Sequence, residues 1–134
     1  MNTTEDIKQE LLTAFQSELG DLLGVLNRGL LSLEKDPSGD EREQLLADLF
    51  RAAHSIKGGA RAVKIRDIEK IAHRLEDVMG MIQRGELPVR QEIFDILFRS
   101  ADALKEAMDA YNGALDNGAK GCRVLSIDND GIIS

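Results

Sequence analysis

His54 and His73 are the side chains in this 134-residue chain best suited to proton or group transfer near neutral pH. His54 lies in the stretch Arg51-Ala-Ala-His54-Ser-Ile-Lys57-Gly58-Gly59-Ala60, where a lysine and two adjacent glycines follow it inside a strongly helical region. Glycine in a helix interior costs about 1 kcal/mol relative to alanine, so the pair predicts a close approach just past His54. If a carboxylate accepts the Nδ1 proton of an imidazole, it fixes the tautomer and leaves Nε2 free as a nucleophile. Lys57 would then lie near any anionic group that Nε2 acquired. Glu76, with His73 three residues before it, is the candidate carboxylate.

The elements that would position these groups read as helices. Thr3 or Thr4, followed by Glu5 and Asp6, marks a helix start with acids at the positive end of the dipole. Apolar residues from Ile7 to Leu33 recur at three- and four-residue spacing, through Gly20, Gly24 and Gly29, and stop at the loop Lys35–Gly39. A second helix opens near Asp40 or Glu41 and runs through the glycine pair to about Val63. The third carries Ile68 to Ile82 and ends at Arg84-Gly85, with Arg84 complementing the negative helix end and Gly85 in the left-handed position. The fourth runs from about Val89 to Tyr111 and is closed by Asn112-Gly113. Four amphipathic helices with short links predict an all-α, antiparallel up-down four-helix bundle over residues 1–113. Residues 114–134 read as a linker or loosely packed tail, with Cys122–Ile127 able to extend as a strand.

A helical wheel sets the directions of the polar groups. His54 falls about 125° from the centre of its helix's apolar stripe, on the solvent side, and Lys57 about 65° off it, at the stripe edge. Glu76 sits at the flank of the third helix's stripe, with His73 further round the same side. Antiparallel packing would bring Glu76 towards the His54–Lys57 turn. Blander readings stand beside this one. His54 is then a solvated histidine, Lys57 a snorkelling lysine, Glu76 a partner for cations on its own helix, and the glycine pair a device for close helix packing.

Composition removes other classes. Acidic residues outnumber basic ones, 24 to 17, for a net charge of −7, and no basic run invites nucleic acid. No apolar stretch approaches the roughly 20 residues that cross a membrane, and the first residues lack a signal-peptide pattern, so a cytoplasmic location is expected. The single Cys122 allows no internal disulfide and no thiolate metal cluster. Asp128-Asn-Asp130-Gly131 lacks the first and closing ligands of a calcium loop. No phosphate-cradling glycine loop is present, and Ser55 points away from His54 on a helix. A site built of the two histidines and carboxylates is the one metal arrangement left open, and no ligand spacing supports it.

Phe50-Arg-Ala-Ala-His54-Ser-Ile-Lys57-Gly58-Gly59-Ala60, Ile71-Ala-His73-Arg-Leu-Glu76-Asp-Val-Met and Arg84-Gly85-Glu together resemble the histidine phosphotransfer (HPt) domains. Within them, the resemblance is to the phosphotransfer domains of CheA-type chemotaxis kinases, over roughly Thr3 to Tyr111. Arg61-Ala-Val-Lys-Ile65 stands where such domains often carry a glycine and aromatic segment. The resemblance implies a four-helix bundle with His54 as phosphoacceptor, Glu76 orienting its imidazole, and Lys57 and His73 completing the surround. Phe50, Gly58, Gly59 and Arg61 are the expected partner-docking residues. No cofactor or metal is expected in the chain itself. ATP and magnesium belong to a separate CheA-type kinase domain, and magnesium to CheY- or CheB-like receiver domains that accept the phosphoryl group on an aspartate. A free-standing phosphorelay carrier and a helical interaction module without covalent chemistry are the alternatives.

Overall fold

A computed structural model describes residues 3–119, with side chains to residue 114. Four helices follow one another: α1 (Thr4–Glu34), α2 (Gly39–Val63), α3 (Arg66–Gln83) and α4 (Gln91–Ala119). Each contacts its two neighbours and not the diagonal helix, as in an up-down bundle. Leucine, isoleucine, alanine and methionine from all four helices form one core, including Leu19, Leu26, Leu49, Ile56, Ile68, Met79, Leu97 and Leu104.

α1 starts where the acids predict. The Thr3 hydroxyl accepts from the Asp6 amide at 3.1 Å, and the Asp6 carboxylate accepts from the Thr3 amide at 3.2 Å. The helix passes through its glycines without a break. A Cβ on Gly29 would stand 2.6 Å from Leu49 Cδ2, so this glycine lets α1 and α2 approach closely.

α2 likewise continues through Gly58 and Gly59 to Val63. It ends on Lys64, a non-glycine residue in the left-handed region (φ 63°). The Ile65 amide donates back to the Ala60 carbonyl at 2.9 Å, and the Ile65 side chain is buried beside the turn. The corner before α3 is therefore only Lys64 and Ile65 long. This tight turn sets a regular register, in which one turn forward on α2 is matched by one turn back on α3. Arg61 meets Glu69, His54 meets Glu76, and Phe50 meets Gly80.

α3 ends at Gln83, with Gly85 in the left-handed region as predicted (φ 75°). The Arg84 guanidinium, however, bonds the Glu86 carboxylate, at 2.9 and 3.2 Å, rather than the helix end. α4 also departs from expectation, because Asn112-Gly113 does not close it and the helix runs on to Ala119. Gly113 does not take the positive φ that a helix stop requires, and the Asn112 side chain accepts a 2.7 Å hydrogen bond from Gln16 on α1. The strand expected at Cys122–Ile127 lies outside the described residues.

Candidate functional site

α2 and α3 supply the site on adjacent faces. His54 projects from α2 with its side chain 63% exposed, on the solvent side where the wheel puts it. Its Nδ1 hydrogen-bonds Glu76 Oε2 across the helix pair. Glu76 is more deeply placed than the flank position suggested, its side chain only 9% exposed. Lys57, 18% exposed at the stripe edge, donates from Nζ to Glu76 Oε1 at 2.6 Å. One buried carboxylate thus joins the histidine and the lysine, each oxygen taking one partner.

The electrostatics of that carboxylate decide the tautomer. Burial alone would raise the Glu76 carboxyl's pKa. Hydrogen bonds from Lys57 first and His54 second, with the charge of both, outweigh burial and hold it below its ordinary value. Glu76 is then ionised at neutral pH and accepts the Nδ1 proton. In the neutral tautomer this fixes, Nε2 is the nitrogen that carries the lone pair, on a side chain that is 63% exposed.

The neighbouring residues take distinct places. Phe50, one turn before His54, lies with its ring 9° from parallel and its centroid 6.5 Å away. Gly58, one turn after it, is exposed, and a Cβ there would meet nothing within 4 Å. Arg61, a further turn along, is exposed and donates to Glu69 at 2.8 Å. Gly59 does not belong to this surface. A Cβ on it would stand 2.7 Å from Phe15, so it faces α1 and serves the close packing of the two helices.

His73 makes no hydrogen bond to His54, Lys57 or Glu76 among the described residues. Its Nε2 lies 3.7 Å from Asp77, one turn on along α3, and both are exposed. His73, Glu76 and Asp77 do bring ligand atoms within 4.8 Å of one another. A cation there would meet a Glu76 whose two oxygens already accept from His54 and Lys57.

Sequence reasoning did not single out a groove of about 590 Å³ between α2 and α3, beside Glu76. Phe50, Gly80 and Met81 line it, with Asp77, Arg84 and Glu86 at its polar margin. The available signal was Gly80, a side-chain gap on α3 one turn beyond Glu76.

A family profile described as "Hpt domain" matches residues 10–114. The chain is an Hpt domain. The Bacillus subtilis chemotaxis protein CheA is 38% identical over 96 residues, which covers 72% of this chain and 14% of that protein. CheA of Rhizobium meliloti is 35% identical, covering 81% of this chain and 14% of its own. CheA of Borreliella burgdorferi is 31% identical, covering 75% and 11%. The Hpt domain thus spans about a seventh or less of the length of these relatives. Among solved structures, the CheA phosphotransferase domain from Thermotoga maritima superposes with a TM-score of 0.69 at 30% identity, over 76% of this chain and 94% of that one. The Hpt domain is homologous to CheA phosphotransfer domains in sequence and in fold. Among the described residues, no helix is long and apolar enough to cross a membrane.

Proposed function

We propose that this Hpt domain is the phosphocarrier of a CheA-type two-component chemotaxis kinase, with His54 as the residue that carries the phosphoryl group. The observation that carries the reading is the exposed imidazole whose Nδ1 is held by a buried, ionised Glu76. The Nε2 lone pair attacks the γ-phosphorus of ATP held by a separate kinase domain. The Nε2–P bond forms as the bond from phosphorus to the β–γ bridging oxygen breaks, and ADP leaves. The ring keeps its Nδ1 proton, and the positive charge it gains is offset by Glu76. In the second step a receiver aspartate attacks phosphorus, the Nε2–P bond breaks, and the electron pair returns to the ring.

Lys57 supports Glu76 through its second oxygen. As a cation on the same α2 face, it is the group in the chain that would offset the charge of the added phosphoryl group. Gly58 leaves the surface next to Nε2 low enough for a partner's active site to reach it. Magnesium and the nucleotide site come from the partners, because transfer chemistry of this kind rests on positioning and charge neutralisation around the phosphoryl group. The partners are a CheA-type ATP-binding domain and CheY- or CheB-like receivers, and the place of action is the cytoplasm.

The test is incubation with a CheA-type ATP-binding domain, ATP and magnesium. The expected product is an acid-labile, base-stable phosphoprotein, formed by the parent and not by His54→Gln. Equal labelling of the two proteins would end the assignment.

A further inference from the structure

Glu76 holds the His54 ring by one atom, and a single hydrogen bond leaves an imidazole free to tilt and swing. The second torsion of a histidine side chain is broad, so the backbone does not supply the missing restraint. Side chains on a helix lean towards its N-terminus, which carries the His54 ring back over the turn that bears Phe50. The two rings are 9° from parallel with centroids 6.5 Å apart, within the range over which aromatic pairs interact.

Phe50 is itself held. It is half-buried, packs against the core, and its Cε1 would lie 3.6 Å from a Cβ placed on Gly80. The Phe50 ring therefore rests beside the bare backbone of α3, one turn beyond Glu76 on the same helix. α3 reaches His54 directly through the Glu76 carboxylate, and it backs the α2 ring beside His54 through the bare backbone of Gly80.

We infer that Phe50 is a positioning residue for His54, setting the plane of the imidazole so that the Nε2 lone pair points at an incoming phosphorus, rather than a residue that docks partners. The inference rests on His54 being the phosphoacceptor. In-line attack demands alignment of the lone pair with the breaking bond, and misalignment of a bound nucleophile is costly in rate. An interaction of this size, spent wholly on orientation, corresponds to about a 2- to 10-fold change in rate.

A partner-free phosphoryl donor separates positioning from docking. Phosphoramidate transfers its phosphoryl group directly: the Nε2–P bond forms, the P–N bond of the reagent breaks, and ammonia leaves. The whole chain and its Phe50→Ala, Phe50→Leu and Phe50→Tyr variants are labelled with phosphoramidate and then with a CheA-type ATP-binding domain. Positioning predicts that Phe50→Ala and Phe50→Leu slow both reactions by the same factor, about 2- to 10-fold. Phe50→Tyr, which keeps the flat ring, restores both. Relaxation of the His54 ring ¹³C–¹H groups should show wider ring motion in the slow variants alone, with the tautomer set by Glu76 unchanged in the ¹⁵N resonances. Phosphoramidate labelling at the parent rate in Phe50→Leu, with only the kinase-driven reaction slowed, would make Phe50 a docking residue and overturn the inference. Parent rates in both reactions would overturn it as well. Failure of the phosphoacceptor reading looks different, since His54→Gln would then label with phosphoramidate as fast as the parent. If the alanine variant does not fold, the leucine and tyrosine variants decide the question, because both keep a large side chain in the seat.

Discussion

His54 and His73 are almost equally exposed, 63% and 60%, and each has a carboxylate within reach. They differ in where that carboxylate stands. The partner of His54 comes from another helix, is buried, and is held from its other side by Lys57. The partner of His73 is Asp77, one turn along the same helix, exposed and 3.7 Å away. A carboxylate in solvent holds its neighbour weakly, because water and salt screen it and both side chains remain free to move. A buried one is fixed in place and cannot be replaced by water at small cost. Exposure makes a histidine accessible, and a buried partner gives it a defined tautomer. Only His54 has both.

The largest effect that tests this difference is the loss of phosphoryl incorporation in His54→Gln against its retention in His73→Gln. Quantitative labelling with a CheA-type kinase domain reads it, and equal losses would erase the distinction. Next comes Glu76→Ala, which should slow labelling at least tenfold and lower unfolding free energy by about 1–3 kcal/mol in urea titration, since Lys57 and His54 lose a buried acceptor. A parent-like rate would remove the orienting role of Glu76. Third is pH. The folded-state pKa of Glu76 is depressed, so its contribution to stability is present above the ordinary glutamate range and is lost as pH falls through the lowered value. Urea titrations from pH 6 to pH 3 should show a steeper acid-side loss in the parent than in Glu76→Gln, with the curves converging below about pH 4.3. Asp77→Asn, at the small end, should leave both stability and labelling at parent values.

The same contrast between outward and inward roles separates the two adjacent glycines. Gly59→Ala pushes a methyl group against Phe15 and should destabilise the fold by about 1–3 kcal/mol in thermal unfolding. Gly58→Ala meets nothing and should stabilise the helix by about 0.5–1 kcal/mol. Equal shifts in the two variants would refute the division of labour.

Periodicity alone placed all four helices and turned His54 outward with Lys57 at the stripe edge, because those directions depend only on residues a few positions apart. The same arithmetic could have divided the glycines. Gly58 shares the face of His54 one turn on, whereas Gly59 is rotated about 100° from it. Helix spacing with antiparallel packing already brought Glu76 towards the His54–Lys57 turn, and the contact is there. The depth of Glu76 was not legible, since it depends on the register of α2 against α3. That register follows from Lys64 adopting a left-handed conformation, which no glycine announced. The α4 terminus was misread for a related reason. Asn112-Gly113 is a stop signal locally, and a hydrogen bond from Gln16, 96 residues away in the chain, is part of what holds Asn112 in the helix.

The two-residue corner between α2 and α3 has a consequence for how this region can change over time. His54 and Glu76 are 22 residues apart, and no slack lies between them. One inserted residue within either helix arm would rotate everything beyond it by about 100° and swing the carboxylate out of reach of the imidazole. The segment therefore accepts exchanges of side chain but not changes of length, whereas Lys35–Ser38, before α2, can grow or shrink without altering that count. The fixed interval between histidine and glutamate acts as a ruler, and a chain that keeps both residues but alters the interval has lost the site.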